Sequence, residues 1–151
     1  MEEIKDTFLH PVVPLDFQNN YRVGAYLQRY LDGFREKKIL GAKCSQCGRV
    51  VVPPRKYCGA CNLVMEEFVE LPQEGTLENF TVGHVTLEKG QLNRADAPYV
   101  IGMVRLEGAS NSLLAKLDVA PADVKTGMKV KAVWKDQVEG EYTDLDCFQP
   151  A

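Results

Sequence analysis

Four cysteines in two closely spaced pairs are the residues of this chain best suited to defined chemistry. Both pairs have the spacing Cys-x-x-Cys and are separated by ten residues; they are Cys44, Cys47, Cys58 and Cys61. Such a turn brings two sulfurs to one side of the backbone, and the insert is long enough to place the second turn opposite the first. The spacing therefore predicts a zinc ribbon with one tetrahedral four-thiolate site.

A closed four-thiolate site leaves no coordination position open for a substrate, so we expect a structural metal ion. The site would carry a charge of about −2, and four basic residues near the ligands can offset it, namely Lys43, Arg49, Arg55 and Lys56. Two alternatives stay open from the residues alone. The cysteines are also compatible with disulfides, which are rare in the cytosol, and with rubredoxin-type iron.

The residues around the cysteines predict the local backbone. Gly48 follows the first pair and tolerates the unusual φ that a metal-binding turn needs at its exit. Between the pairs, three valines at 50–52 are typical of a strand, and two prolines at 53–54 end it. We therefore expect the insert to be a hairpin.

Composition indicates an ordinary globular protein. The chain has 151 residues, of which 45% are hydrophobic and 26% charged. It has no long apolar run, and its first residues, MEEIKDTFLH, lack the features of a signal peptide, so we expect a cytoplasmic protein with no membrane contact. A net charge of −3 disfavours a polyanionic partner, and a nucleic acid would need a local basic groove.

The segment before the cysteines divides into two parts. Residues 1–19 contain two prolines and no sustained period, and we expect an extended apolar arm. Residues 20–38 are predicted to form an amphipathic helix with Asn19 or Asn20 as N-cap. Its apolar stripe either packs on the chain's own core or faces a partner; the stripe consists of Val23, Tyr26, Leu27, Tyr30, Leu31 and Phe34.

We expect the ribbon to occupy residues 39–71 and a second domain to occupy residues 72–151. The second domain has five β-patterned runs, which favour a small barrel over a sandwich. A short helical turn at 121–124, between the third and fourth runs, is typical of an OB-fold. The polar segment 88–98 is expected to be a binding loop. The five runs are 76–87, 99–106, 112–119, 129–134 and 142–148.

The order of helix, ribbon and barrel resembles a family of small proteins that accompany acyl-CoA enzymes. These proteins join an N-terminal rubredoxin-like zinc ribbon to a C-terminal OB-fold. The similarity extends from about Tyr21 to the end of the chain. Its matching stretches are YLDGFR at 30–35, LGAKC at 40–44, CG at 47–48, PPR at 53–55, CGAC at 58–61, APYVIGMV at 97–104 and GMKV at 127–130.

The resemblance implies a non-catalytic zinc-binding subunit of an acyl-CoA thiolase or thiolase-like complex. The implied complex is similar to benzoylsuccinyl-CoA thiolase, a hetero-oligomer whose small subunit has this architecture, and it handles an aromatic or other acyl-CoA. The catalytic cysteine and histidine then belong to the partner, and the CoA thioester is a ligand shared with it. Arg55 and Arg94 are candidates for contacts to a phosphate or an acyl carboxylate.

The remaining cysteine and the two histidines agree with a non-catalytic role. Cys147 is expected to be a core residue, and His84 a structural residue on a strand. His10 and His84 lie in different sequence contexts. The sequence therefore shows no pair of nucleophile and base.

Two other functions remain open from the sequence. A nucleic-acid-binding module is the main alternative, although the barrel has few aromatic residues for base stacking, mainly Phe80, Tyr99 and Trp134. An iron electron carrier is the other.

Overall fold

The computed structural model describes residues 22–88 and 91–151. These residues form one helix, a three-stranded sheet and a closed five-stranded barrel, in that order along the chain. This confirms the predicted mainly β fold, with a zinc ribbon followed by a five-stranded OB-fold barrel. The predicted arm at 1–19 lies outside the described residues. In the described part of the chain, no helix is long and apolar enough to span a bilayer.

The helix α1 spans Gly24–Phe34 and is shorter than the predicted 20–38. Val23 stands at its N-cap position, while the two asparagines proposed as N-caps lie outside the described residues. The helix ends because Lys37 adopts a left-handed φ of 55°, which lets the N–H of Lys38 donate to the carbonyl of Gly33 at 2.9 Å.

The apolar stripe of α1 packs on the chain's own core. Tyr30 and Phe34 are each 1% exposed, and Leu31 is 9% exposed. They belong to a core cluster that also contains ribbon and barrel residues. The interpretation of this stripe as a partner face is therefore wrong for these three residues.

The ribbon sheet has the strand order β2-β1-β3. The strands are β1 at Ile39–Lys43, β2 at Val50–Val51 and β3 at Glu67–Leu71. The predicted hairpin within the insert is wrong, because β2 pairs back with β1 through Ala42 and Lys43. The second cysteine pair lies in a separate turn, which a bridge between Tyr57 and Val64 closes. Each Cys-x-x-Cys turn thus has its own pair of extended segments.

The barrel closes in the strand order β4-β5-β6-β8-β7, with β7 also paired to β4. A 3₁₀ turn at Tyr142–Asp144 occupies the start of the fifth predicted run. The predicted helical turn after β6 is a hydrogen-bonded turn whose Val124 is buried in the core. The strands are β4 at Glu74–Glu88, β5 at Gln91–Leu106, β6 at Leu113–Leu117, β7 at Lys129–Trp134 and β8 at Leu145–Pro150.

The segment predicted to be a binding loop at 88–98 is mostly strand. β5 begins at Gln91, and its first residues pair with the end of β4, for example Leu92 with Leu87. The loop prediction is wrong. The segment is polar and has no period that indicates a strand, yet its backbone is extended from Gln91 onward. β4 and β5 form one long hairpin, with a register irregularity between Gly83 and Val85.

Hydrogen bonds fix the ribbon onto the barrel. The side chain of Asn111 accepts from the N–H of Val52 at 2.9 Å and donates to its carbonyl at 2.6 Å. Beside it, Ser110 Oγ accepts from the N–H of Val50, and the Ser110 N–H donates to the Val50 carbonyl. These two residues of the β5–β6 connection therefore act as a short extra strand partner for the ribbon.

Replacing Asn111 should weaken this junction. Asn111→Ala leaves both backbone groups of the fully buried Val52 without their partner, which should lower the free energy of unfolding by about 1–3 kcal/mol. Urea denaturation would measure it. Asn79→Ala is the control, because Asn79 makes only an exposed local hydrogen bond to the N–H of Phe80. Equal stability of the two variants would contradict this role for Asn111.

Asp144 organises the connection between β7 and β8. Its carboxylate is 3% exposed and accepts three backbone N–H bonds, at 2.7–3.0 Å, from Glu139, Gly140 and Glu141. Burial raises the pKa of this carboxyl, but the three hydrogen bonds and the charge of Lys135 outweigh burial and hold its pKa below the ordinary value.

The lowered pKa of Asp144 predicts an acid-sensitive fold. Its ionised carboxylate stabilises the fold fully above the pKa of an unfolded aspartate, about 4, and this stabilisation is lost as the pH falls through the lower folded-state pKa. Asp144→Asn should lower the urea midpoint at pH 7. It should also reduce the further decrease of that midpoint when the pH falls from 5 to 3. The exposed Asp123→Asn is the matched control. If the urea midpoint of Asp144→Asn falls with pH as much as that of the wild type, Asp144 is not the source of the acid sensitivity.

Candidate metal centre

Two similar backbone turns present the four cysteines. In the first, the N–H of Cys44 donates to the carbonyl of Arg49, and the N–H of Gly48 donates back to the carbonyl of Cys44. The second repeats this arrangement, with Cys58 bonded to Leu63 and Asn62. Each turn ends in a left-handed residue four positions after its first cysteine, at φ 70° for Gly48 and 55° for Asn62.

The role of Gly48 was predicted from the sequence, but that of Asn62 was not. Asparagine is, after glycine, among the residues that most readily adopt this conformation. Its position four residues after Cys58 was the available signal. The two turns therefore have equivalent backbones despite their different exit residues.

The four thiol sulfurs converge on one point. All four Sγ atoms lie within 4.8 Å of one another, and Cys47 Sγ is 3.7 Å from Cys58 Sγ. Tetrahedral zinc with Zn–S bonds of about 2.3 Å requires sulfurs about 3.8 Å apart. The donor set and its spacing therefore fit zinc. The cysteines are free thiols, which argues against the disulfide alternative.

Hydrogen bonds shift the pKa values of two of the four thiols. The backbone N–H groups of Cys61 and Ala60 donate to Cys58 and lower the pKa of its thiol to about 6. The pKa of Cys61 is raised to about 12, mainly by its hydrogen bond with Cys47 and then by burial. Cys58 is thus the first thiolate available to a metal ion, and binding must displace the remaining thiol protons.

The metal centre has very little apolar packing of its own. The buried cluster around it consists of Ala42, Cys44, Cys58 and Met65, with Val51 and Cys61 packed against it. This set is too small to offset the entropy of ordering the two turns. Metal coordination therefore has to supply most of the stability of this end of the ribbon.

The basic residues near the ligands have different surroundings. Arg49 and Arg55 line a cavity of about 170 Å³ that also borders Cys58 and reaches Ser110 and Asn111. Lys43 instead pairs with Glu67 at 3.3 Å. The two arginines are the cations placed to offset the charge of the thiolates on this side.

The second candidate for a CoA contact, Arg94, lies elsewhere. It is exposed on β5, directly opposite Val85 of β4. The cavity lined by Arg55 does not include it. The structure therefore does not bring the two candidate arginines into one cavity.

The remaining cysteine and histidine candidates do not form a reactive pair. Cys147 is 5% exposed on β8, which confirms it as a core residue, and burial raises the pKa of its thiol. His84 is exposed on β4 at the irregularity of the hairpin, and His10 lies outside the described residues. Within the described ranges, no hydrogen bond joins a cysteine to a histidine.

Comparison with known proteins gives matches for both domains. Residues 31–64 match the family described as "ChsH2, rubredoxin-like zinc ribbon domain", and residues 68–135 match "ChsH2, C-terminal OB-fold domain". A DUF35 domain-containing scaffold protein of Methanocaldococcus jannaschii is 33% identical over 98 residues, which are 64% of this chain and 67% of that protein. A protein of the same description from Methanothermobacter thermautotrophicus is 29% identical over 105 residues, covering 68% of this chain and 77% of its own length.

Solved structures share the fold. A DUF35 family protein of unknown function from Sulfolobus solfataricus aligns with a TM-score of 0.64 and 26% identity, over 84% of each chain. A chain of the solved structure described as "Ltp2-ChsH2(DUF35) aldolase" aligns with a TM-score of 0.60 and 22% identity, over 81% of this chain and 91% of that one. At 22% identity, the similarity to the second structure shows a shared fold and nothing more.

Loss of a metal ligand should unfold the ribbon. Structural zinc contributes roughly 10–16 kcal/mol in isolated zinc-finger peptides, so Cys58→Ser should lose the metal and the ordered ribbon. Elemental analysis and circular dichroism would measure both. Cys147→Ala is the matched control and should keep about one zinc per chain. Retention of a full equivalent of zinc by Cys58→Ser would contradict the four-thiolate site, and iron in the wild-type protein would contradict zinc.

Proposed function

The chain belongs to the DUF35 family of zinc-ribbon and OB-fold proteins, and from this premise we propose that it is a non-catalytic subunit of an acyl-CoA thiolase or thiolase-like enzyme. It docks on the catalytic subunit and helps to enclose the CoA thioester. The curated relatives are described as scaffold proteins, and the name "Ltp2-ChsH2(DUF35) aldolase" joins a chain of this fold to a second protein. Both descriptions agree with a role inside a larger enzyme.

The chemistry of the described residues supports a non-catalytic role. A thiolase needs a nucleophilic cysteine, a nearby base and donors for the developing negative charge. Four of the five cysteines converge on the metal site, and Cys147 is buried in the barrel. The catalytic groups are therefore expected on the partner.

The observation that carries the proposal is an apolar surface on the outside of the barrel. Leu114 is 71% exposed and Met103 is 45% exposed, and with Ile101 they border a cavity of about 240 Å³ between the strands β4, β5 and β6. Directly opposite pairing places Leu114 beside Met103 on one face of the sheet. Exposed apolar patches of this kind mark protein–protein contacts.

This surface disfavours the nucleic-acid alternative. An OB-fold that binds single strands presents a positively charged groove with aromatic side chains on which bases stack. Here the large exposed apolar side chains that border the cavity are leucine and methionine, Phe80 is the one aromatic residue in its lining, and the chain as a whole has a net charge of −3. A protein surface complements this face better than a polyanion does.

Arg55 is our candidate for a direct contact to the CoA thioester. It borders the cavity beside the metal centre together with Arg49, and neither guanidinium forms an ion pair with a carboxylate among the described residues. A guanidinium suits bidentate contacts to phosphate or to an acyl carboxylate. We propose that this end of the ribbon faces the CoA that the partner binds.

Reconstitution with the partner tests the proposal. The chain alone should have no thiolase activity, and adding it to the purified catalytic subunit should raise kcat/KM for acyl-CoA cleavage. Arg55→Ala should raise KM for the acyl-CoA about tenfold with little change in kcat, because it removes a binding contact remote from the reacting bond. Steady-state kinetics would measure both effects.

Two results would contradict this proposal. Unchanged kinetic constants on adding the chain would exclude a functional subunit. Thiolysis by the chain alone would place the chemistry on this polypeptide. Lys56→Ala serves as the control for Arg55→Ala, since Lys56 is the adjacent exposed cation and lies 5.4 Å from the ring centre of Tyr57.

A further inference from the structure

The distal part of the β4–β5 hairpin extends past the strands that close the barrel. β6 pairs with β5 only from Val100 onward, and β7 pairs with β4 only at the three residues from Glu74 to Thr76. The residues of β4 from Val85 onward pair only with the start of β5, up to Arg94. This two-stranded segment therefore has both of its faces outside the barrel.

One face of this segment is apolar. Leu87 lies directly opposite Leu92, and Val85 lies directly opposite Arg94, so these four side chains share a face. The three apolar residues are 53% exposed at Val85, 66% at Leu87 and 76% at Leu92. The pair of Thr86 and Asn93 lies on the other face. We call the first set the apolar face of the hairpin.

Tyr99 contacts the base of the hairpin and holds it in position. The hydroxyl of Tyr99 donates to the carbonyl of Val85 at 2.7 Å, across the register irregularity. The ring of Tyr99 covers Gly83 so closely that a Cβ atom there would overlap the ring. A side chain at Gly83 would have to displace this ring, and the hydrogen bond of Tyr99 ties the hairpin to the barrel.

An exposed apolar face on a fixed hairpin is poorly explained by the stability of this chain alone. A two-stranded hairpin is marginally stable in water, and its exposed leucines contribute little until something covers them. Holding the hairpin in advance lowers the entropy lost when a partner binds. The geometry therefore suits a docking arm.

We propose that the apolar face of the hairpin docks on the catalytic subunit, against an apolar surface that bears a carboxylate opposite Arg94. This proposal rests on the proposed function and adds a second contact surface to the outer face of the barrel that carries Met103 and Leu114. It assigns Arg94 to the partner protein rather than to the CoA thioester, for which the sequence made Arg94 a candidate.

The charge of Arg94 indicates which kind of molecule covers the apolar face of the hairpin. Arg94 forms no ion pair with the carboxylates that the structure describes, and the apolar face offers it no acidic residue. A second copy that docked through the same four residues would bring two arginines together and no carboxylate. A single arginine beside three aliphatic residues is also too little charge for a nucleic acid. A different protein with an acidic residue at the edge of an apolar surface fits best.

Binding measurements with matched variants test the docking arm. Kd would be measured by titration calorimetry between the zinc-loaded chain and the recombinant thiolase-like subunit that mass spectrometry identifies in the native complex. Leu87→Ser combined with Leu92→Ser should raise Kd at least about 100-fold, since each buried leucine accounts for about tenfold or more. Thr86→Ala combined with Asn93→Ala, on the opposite face, should stay within about threefold of wild type.

The charge variants separate a protein contact from a CoA contact. Arg94→Glu should raise Kd for the partner about tenfold or more, and Arg94→Lys should restore most of the affinity, while KM for the acyl-CoA in the saturated complex stays unchanged. A change in that KM with no change in Kd would return Arg94 to the thioester and overturn this assignment. Zinc content and the urea midpoint of each variant would verify that it folds.

The outcomes distinguish the two proposals. Tight binding by wild type and equally tight binding by the leucine variant would overturn the docking arm and leave the proposed function standing. No binding by wild type would overturn the proposed function, and the docking arm with it. Hydrogen exchange adds a direct map, since the hairpin amides should become at least about tenfold more protected in the complex.

Discussion

The convergence of four cysteine thiols on one metal site is the constraint on which the form of the ribbon depends. The buried cluster around them contains four residues, two of which are the ligands Cys44 and Cys58. Without metal, neither cysteine turn has enough packing to stay ordered. The metal therefore shapes the end of the ribbon that borders Arg55, while β1 continues from the metal centre into the main core through Ile39.

The fold makes one continuous body out of helix, ribbon and barrel. Phe34 of α1 packs edge-on against Trp134 of β7 at 4.9 Å, and the indole N–H of Trp134 donates to Gln73, whose amide donates in turn to the carbonyl of Lys37. With the contacts of Asn111 to Val52, these bonds fix the ribbon relative to the barrel. This rigidity suits the proposed function, in which the chain presents several surfaces to a partner in a constant arrangement.

The parts of this architecture that follow from local patterns could be predicted from sequence. The cysteine spacing identified the metal site, and the β-patterned run at 129–134 identified β7 with its observed bounds. The second strand of the hairpin could not be predicted, because exposed strands lack the alternation that burial imposes, and residues 88–98 were predicted to be a loop. β1 was also missed, since its Gly41 and Ala42 are weak strand formers that only pairing with β2 and β3 makes extended.

Our central claim is that this polypeptide is a scaffold and that the catalytic groups belong to another chain. The most direct test is the mass of the native complex, determined together with its subunit composition by native mass spectrometry after purification from the source. We predict a zinc-containing hetero-oligomer in which this chain is bound to a thiolase-like protein. A particle containing only copies of this 16.9 kDa chain, with acyl-CoA cleavage in the same fraction, would contradict the claim.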